Sequence, residues 1–327
     1  MSNNRFGICS ALVALCVVGP APAQQAYTLT DLGTYGSYNV FLGGAVNNYG
    51  KAAVTADKGS TGNNLSFYWD GSALSFLPGP GGLNGWSGVS AINDAGWIVG
   101  NAKSTAGGNS SAVLWRNGVL TNLTGKSTSS AGGINNLASP QITGSVAVGK
   151  STQAFLWQAG KYTTLPFSGG TAINNLGQIA GGDAIGPLFW STNTGVVHLN
   201  IGAGTQGTRV VAINDSGLIA GVIETYDGTR FSGQGVVWNG PTGQVAYYLP
   251  SVNPASINSA GVVIGSQYIW DAVNGTRNLN TLLDSSGAGW TIYQATSISD
   301  TGYILAIATS VSVGYIGEDR IVLLTPK

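Results

Sequence analysis

The sequence predicts an all-β fold, a seven-bladed β-propeller of four-stranded blades closed by its N-terminal strand. A turn signature recurs seven times: AVNNYG at Ala45, AINDAG at Ala91, INNLAS at Ile134, AINNLG at Ala172, AINDSG at Ala212, SINSAG at Ser256 and SISDTG at Ser297. From Asn47 through Asn93, Asn135, Asn174, Asn214 and Asn258 to Ser299 the steps are 46, 42, 39, 40, 44 and 41 residues, averaging 42. Repeats of roughly 40–50 residues holding four strands are the sequence sign of propeller blades. The ends supply the third observation. The seventh unit stops at Lys327 without its fourth strand, while YTLTDL (Tyr27 to Leu32) precedes the first unit and has the pattern of a fourth strand. Pairing the two ends closes a ring and removes two exposed sheet edges. A β-solenoid is the alternative, but it uses shorter coils and has no need of permuted ends.

Each unit reads the same way in order. An apolar strand ends at the Asn turn, and a second strand follows. A third ends in Trp, as in SFYW (Trp69), AVLW (Trp115), AFLW (Trp157), PLFW (Trp190), GVVW (Trp238) and QYIW (Trp270). These rings are expected to fill the wedge between neighbouring blades. The next turn is Asp70-Gly71, Asn117-Gly118, Ala159-Gly160 or a longer version containing Gly195, Gly243 or Gly275. Asn-Gly and Asp-Gly pairs point to type I′ turns, whose two central residues both need positive φ. The fourth strand ends near Leu77, Leu123, Leu165, Leu199, Leu249 or Leu279. Unit three carries an insertion around Pro140, so its first hairpin is expected to be irregular, and unit six is clipped between Ile264 and Trp270.

Charged residues are only 8% of the 327, against roughly 25% in ordinary soluble domains. Net charge is zero and Lys and Arg do not cluster, so no nucleic-acid footprint is present. Residues 1–23 read as a cleaved signal peptide: Arg5, an apolar run from Gly7 to Val18, and Ala21-Pro22-Ala23 before Gln24. That run is too short for a membrane span. Residues 24–327 then form one propeller domain. Both cysteines, Cys9 and Cys16, fall in the leader, so the exported chain, periplasmic or extracellular, is expected to lack disulfides.

DLGTYGSYN (Asp31 to Asn39), the repeated AIN-x-x-G-x-I-x-G and the strand AFLW resemble the bacterial extracellular HAF repeat proteins, over Tyr27 to Pro326. The His of the family's His-Ala-Phe tripeptide is replaced, as in Gln153-Ala154-Phe155. The resemblance implies a secreted repeat protein and brings no catalytic residues.

Few residues suggest chemistry. His198 is the only histidine and aligns with polar positions of an outermost strand, so His-based triads and His-rich zinc sites are excluded. Asp94, Asp215 and Asp300 share a turn position with Asn48, Asn136 and Asn175, which points to hydrogen-bond acceptance near the turn rather than a charge requirement. No calcium loop is present, and no cofactor is expected. Glu224, Asp227, Glu318 and Asp319 leave a glycosidase-like carboxylate pair open.

In an up-and-down blade, the 1–2 and 3–4 turns share one face (the turn face), and the 2–3 loops and inter-blade connections share the other (the loop face). The loop face holds the variable segments, where binding residues concentrate. Trp290 and Tyr293, Tyr35 and Tyr38, and Trp86 fall at three consecutive junctions, where a contiguous aromatic patch is expected to hold a sugar or a partner protein. The insertion ETYDGTRFSG adds Glu224 and Arg230. The function expected is non-catalytic binding of a carbohydrate or surface protein. A glycan hydrolase or lyase using loop carboxylates, or a structural envelope component, are the alternatives.

Overall fold

The computed structural model describes residues 26–38, 40–57, 64–104, 108–126, 128–311 and 319–327, so residues 1–23, expected to form a leader, and Glu318 lie outside it. The described residues form seven four-stranded antiparallel sheets in a ring, and each is one repeat unit in chain order. Blades 1 to 6 span residues 40–76, 86–122, 129–164, 169–198, 205–249 and 256–278. Blade 7 combines Trp290–Ile298, Ile304–Ser310 and Asp319–Pro326 with the N-terminal strand Tyr27–Asp31.

The closing strand pairs antiparallel with the C-terminal one, from Tyr27 opposite Pro326 to Asp31 opposite Val322. Its outer edge is covered as well. Asp284, between blades 6 and 7, donates its backbone N–H to the Tyr27 carbonyl at 2.9 Å. The Asp284 carboxylate accepts a bond from the Thr28 hydroxyl at 2.8 Å and pairs with Lys327. Ser286 Oγ accepts the Leu29 N–H at 2.7 Å. The strand that completes the ring is therefore held on both sides.

The repeated signature has a physical cause at each position. The Asn side chain at the 1–2 turn is buried and works in two directions. In blade 4, Asn174 Oδ1 accepts the Leu176 and Gln178 N–H groups of its own turn, while its amide nitrogen donates to the Asn214 carbonyl at 2.8 Å. Equivalent bonds run from Asn47 to Asn93, Asn93 to Asn135, Asn135 to Asn174, Asn214 to Asn258 and Asn258 to Ser299. The following residue forms a second belt. The Asn48 and Asn175 N–H groups donate to Asp94 and Asp215 carboxylates one blade on, and Asp94 N–H to Asn136 Oδ1. The turn aspartates thus accept across the blade boundary, and the turn face is tied together almost around its whole circumference.

Two glycines of the signature are required for different reasons. Gly96 and its equivalents close the turn at positive φ, 76° at Gly96. In the second strand a Cβ at Gly100 would lie 2.0 Å from the Gly88 carbonyl oxygen, and one at Gly181 2.1 Å from that of Gly169. Five innermost strands also bulge: the extra residues Ser90, Gly132, Thr171, Val211 and Thr296 each fall three residues before the belt position and line a central channel of about 230 Å³.

The six strand-three tryptophans are buried, and Trp115 and Trp238 donate their ring N–H to the carbonyls of Pro78 and Asn200, each at 2.7 Å. The strand-four leucines are buried too. Three expectations need correction. Asp70-Gly71 is not a two-residue primed turn: the connection has four residues because Asp70 Oδ1 accepts the Ser72 and Ala73 N–H groups. Only Asn117-Gly118 and Ala159-Gly160 take two-residue turns with positive φ at both positions. Glu224 is not in a loop, because the second and third strands of blade 5 run on to Tyr226 and from Phe231, leaving Arg230 in a tight turn. Trp86, Trp290 and Tyr293 likewise belong to innermost strands (Trp86–Ile92, Trp290–Ile298) rather than connections, as aromatic residues favour extended backbone. The insertion in unit three lengthens the turn so that the Asn135 N–H reaches Gln141, and unit six is clipped to Ser266-Gln267.

Candidate functional site

The topology puts all seven candidate residues on the loop face, at three kinds of position. Tyr35 and Tyr38 face each other across an isolated bridge between blades 7 and 1. Both rings pack on Phe67, with centroids at 4.9 and 5.4 Å. Tyr38 is only 4% exposed and Tyr35 37%, so Tyr38 belongs to the core and Tyr35 alone presents a ring to solvent. Trp86 pairs across its strands with Lys103, whose ammonium sits 4.8 Å from the indole centroid. Trp290 packs against the core between blades 6 and 7. Tyr293 is 36% exposed. Its phenol is raised well above its ordinary value, first by burial and then by its hydrogen bond to the Asp319 carboxylate.

These rings do not share one cavity: among the described residues no ring contact joins Tyr35, Trp86 and Trp290. Tyr293 instead joins a polar cleft of about 300 Å³ with Arg209, Asn253 and Ser266. Arg209 donates to Asn253 Oδ1 at 2.8 Å and also lines a second cleft of about 290 Å³ toward blade 4, beside Asp183. Partial burial would raise the Asp183 carboxyl, but the N–H groups of Ile185 and Gly186 and the His198 ring, 3.1 Å away, hold it below its ordinary value. Glu224 lies opposite Gly207 on the strand that carries Arg209. Beyond it Tyr226 and Phe231 stack at 4.8 Å on a projecting hairpin, with Phe231 68% exposed. Sequence reasoning passed over Arg209, since a single arginine inside a strand carries no pattern.

The turn face holds a recess of about 670 Å³ between blades 2 and 3, lined by Trp97, Trp157, Arg116 and Pro140 among others. Its sequence signs were the irregular third unit and the Asn117-Gly118 and Ala159-Gly160 turns beside it. Among the described residues no three His, Cys, Asp or Glu side chains converge as a metal site would require, and no helix is long and apolar enough to cross a membrane.

No family model matches the chain, and no curated protein matches it. Solved structures do. A streptogramin B lyase aligns at TM-score 0.51 and 12% identity, covering 94% of this chain and all of the other. A chain of the mitotic checkpoint complex aligns at 0.51 and 13%, covering 99% of each. The extracellular domain of a hybrid two-component system from B. thetaiotaomicron aligns at 0.51 and 12%, covering 91% of this chain and 39% of that one. At such identities the likeness is one of fold: this chain is a seven-bladed β-propeller.

Proposed function

We propose that the protein is an exported, non-catalytic binding propeller of the HAF repeat kind, which recognises a carbohydrate or a surface protein through its loop face. The contrast between the two faces carries this reading. Hydrogen-bonded belts tie the turn face from blade to blade, with Asn174 Nδ2 and Asn214 O at 2.8 Å as one link of many. On the loop face, Trp86 with Lys103, Tyr35, and the Tyr226–Phe231 hairpin present partly or fully exposed rings on a scaffold that the opposite face keeps rigid. Exposed aromatic rings beside isolated cations stack on sugar faces and anchor protein partners alike. Asp183, which lines the described cleft toward blade 4, is held low by its partners, the reverse of what a general acid needs.

The test is an array of glycans, cell-wall polymers and surface proteins probed with the exported chain and a Trp86→Ala/Tyr35→Ala variant. Binding should fall at least tenfold in the variant while its urea midpoint holds. Undiminished binding by the variant, or turnover of any bound glycan, overturns the reading.

A further inference from the structure

The recess between blades 2 and 3 lies on the face opposite the one just discussed, and the fold does not require it. Three local departures from the repeat create it. Blades 2 and 3 have the two-residue turns Asn117-Gly118 and Ala159-Gly160, whereas the described 3–4 connections of the other blades have three or four residues. Shorter turns leave space at the rim. The turn of unit three, two residues longer than that of unit two, supplies a wall at Ser139-Pro140, with Pro140 buried. Trp97 occupies a position held elsewhere by Lys51, Gln141, Gln178, Leu218, Val262 and Tyr303, so the blade does not demand an indole there.

The lining has a definite chemistry. Trp97 and Trp157 supply aromatic surface, and the Arg116 guanidinium stacks over Trp97 at 4.3 Å from the ring centroid. Such stacking holds the guanidinium plane while leaving its edge N–H groups to donate. Arg116 is the one charged side chain in the lining; no carboxylate faces it there. Asn117, Thr121 and Ser139 add neutral donors and acceptors. The volume of about 670 Å³ falls within the roughly 300–1,000 Å³ of small-molecule sites. Ala159, at φ 50°, holds a left-handed conformation costly to a residue with a Cβ, and such strain gathers at functional sites.

We propose that this recess binds a short oligosaccharide carrying a carboxylate, a uronic-acid unit. One sugar face packs against Trp97 beside the guanidinium, its carboxylate takes the Arg116 N–H pair, and its hydroxyls meet Asn117, Thr121 and Ser139. An aromatic floor with a single unopposed cation selects this ligand over a neutral sugar, which would leave the guanidinium unused, and over a cationic one, which it would repel.

The test is calorimetric titration of the exported chain with trigalacturonate and with the neutral trisaccharide of galactose. Trigalacturonate should bind at least tenfold more tightly, and the preference should shrink as salt rises from 50 to 500 mM. Arg116→Gln should remove the preference. Val119→Glu, at an exposed lining position, places a carboxylate in the recess without disturbing packing and should weaken trigalacturonate at least tenfold. Trp97→Ala should weaken both sugars, and Trp97→Phe should restore part of the loss. Equal affinity for the two sugars, or no response to Val119→Glu, overturns the proposal. Loss of trigalacturonate binding in Trp86→Ala would place the ligand on the loop face, which also overturns it.

Discussion

The amide nitrogen of Asn214 lies 3.0 Å from the carbonyl oxygen of Asn258, the equivalent residue one blade on. The same side chain accepts the Ser216 and Leu218 N–H groups with its oxygen, so only a carboxamide satisfies both ends at once. Asn214→Asp keeps the acceptor and loses the donor, setting a buried carboxylate against a carbonyl. It should lower stability by about 3 kcal/mol or more, and Asn214→Ala by about 1–3 kcal/mol. Urea midpoints of both variants measure this. Asn214→Asp as stable as wild type would show that the belt contributes nothing.

Blade 7 holds Ser299 where every other blade has Asn, and no amide bond runs from it to Asn47 among the described residues; Thr301 Oγ1 bonds the Asn48 carbonyl instead. Ser299→Asn should add the missing link and raise stability by about 1 kcal/mol. A drop in melting temperature would mean that the Thr301 bond already serves the junction and the larger side chain displaces it.

Two titratable groups anchor the closing strand, Tyr27 on it and Asp284 against it, and their shifts run in opposite directions. Lys327 first, then Ser286 and Thr28, hold the Asp284 carboxyl far below its ordinary value. A depressed carboxyl contributes stability that is present above the unfolded value, about 4, and is lost as pH falls below it. Burial pushes the Tyr27 phenol up to about 12, opposed by Arg277. That contribution is present below pH 10 and is lost as pH rises toward 12. Release of the N-terminal strand, followed by hydrogen exchange of residues 27–31, should increase at both extremes. Asp284→Asn should flatten the acid limb and Tyr27→Phe the alkaline one. Unchanged limbs would assign the pH dependence to other groups.

Ala159 pays the conformational cost of a left-handed residue at a position equivalent to Asn117, whose φ is also 50°. Asn tolerates that region better than Ala, so Ala159→Asn should gain about 1 kcal/mol in chemical denaturation.

Gly100 is the opposite case, because its limit is space rather than φ. With the Gly88 oxygen 2.0 Å from a would-be Cβ, Gly100→Ala must push the innermost strand of blade 2 out of register. A loss of about 3 kcal/mol or failure to express folded protein is expected. Gly118→Ala, where nothing lies within 4 Å, should cost only the turn conformation, about 1–2 kcal/mol.

Much of this was legible because a repeat states each constraint several times. Asn at seven-fold spacing, with one Ser, marked the turn, and Trp at strand ends marked the wedge between blades. What single positions do was not legible. Tyr38 and Tyr35 look alike in sequence and both pack on Phe67, from a strand some thirty residues on, yet Tyr38 ends in the core and Tyr35 does not. Trp97 was hidden because an indole after a turn glycine has no pattern until Arg116 is brought over it.

Period, strand alternation and permuted ends determined blade number, strand order and the closing pair, since these depend on local hydrogen-bonding and hydrophobic pattern repeated along the chain. Tertiary structure alone decided that the Asn side chains bond forward to the next blade, that Asp284 seals the closing strand, and that a recess opens between blades 2 and 3 on the turn face. Those features join residues that are tens or hundreds of positions apart in the chain. Their distances are set by how blades pack around the ring, which no local pattern encodes.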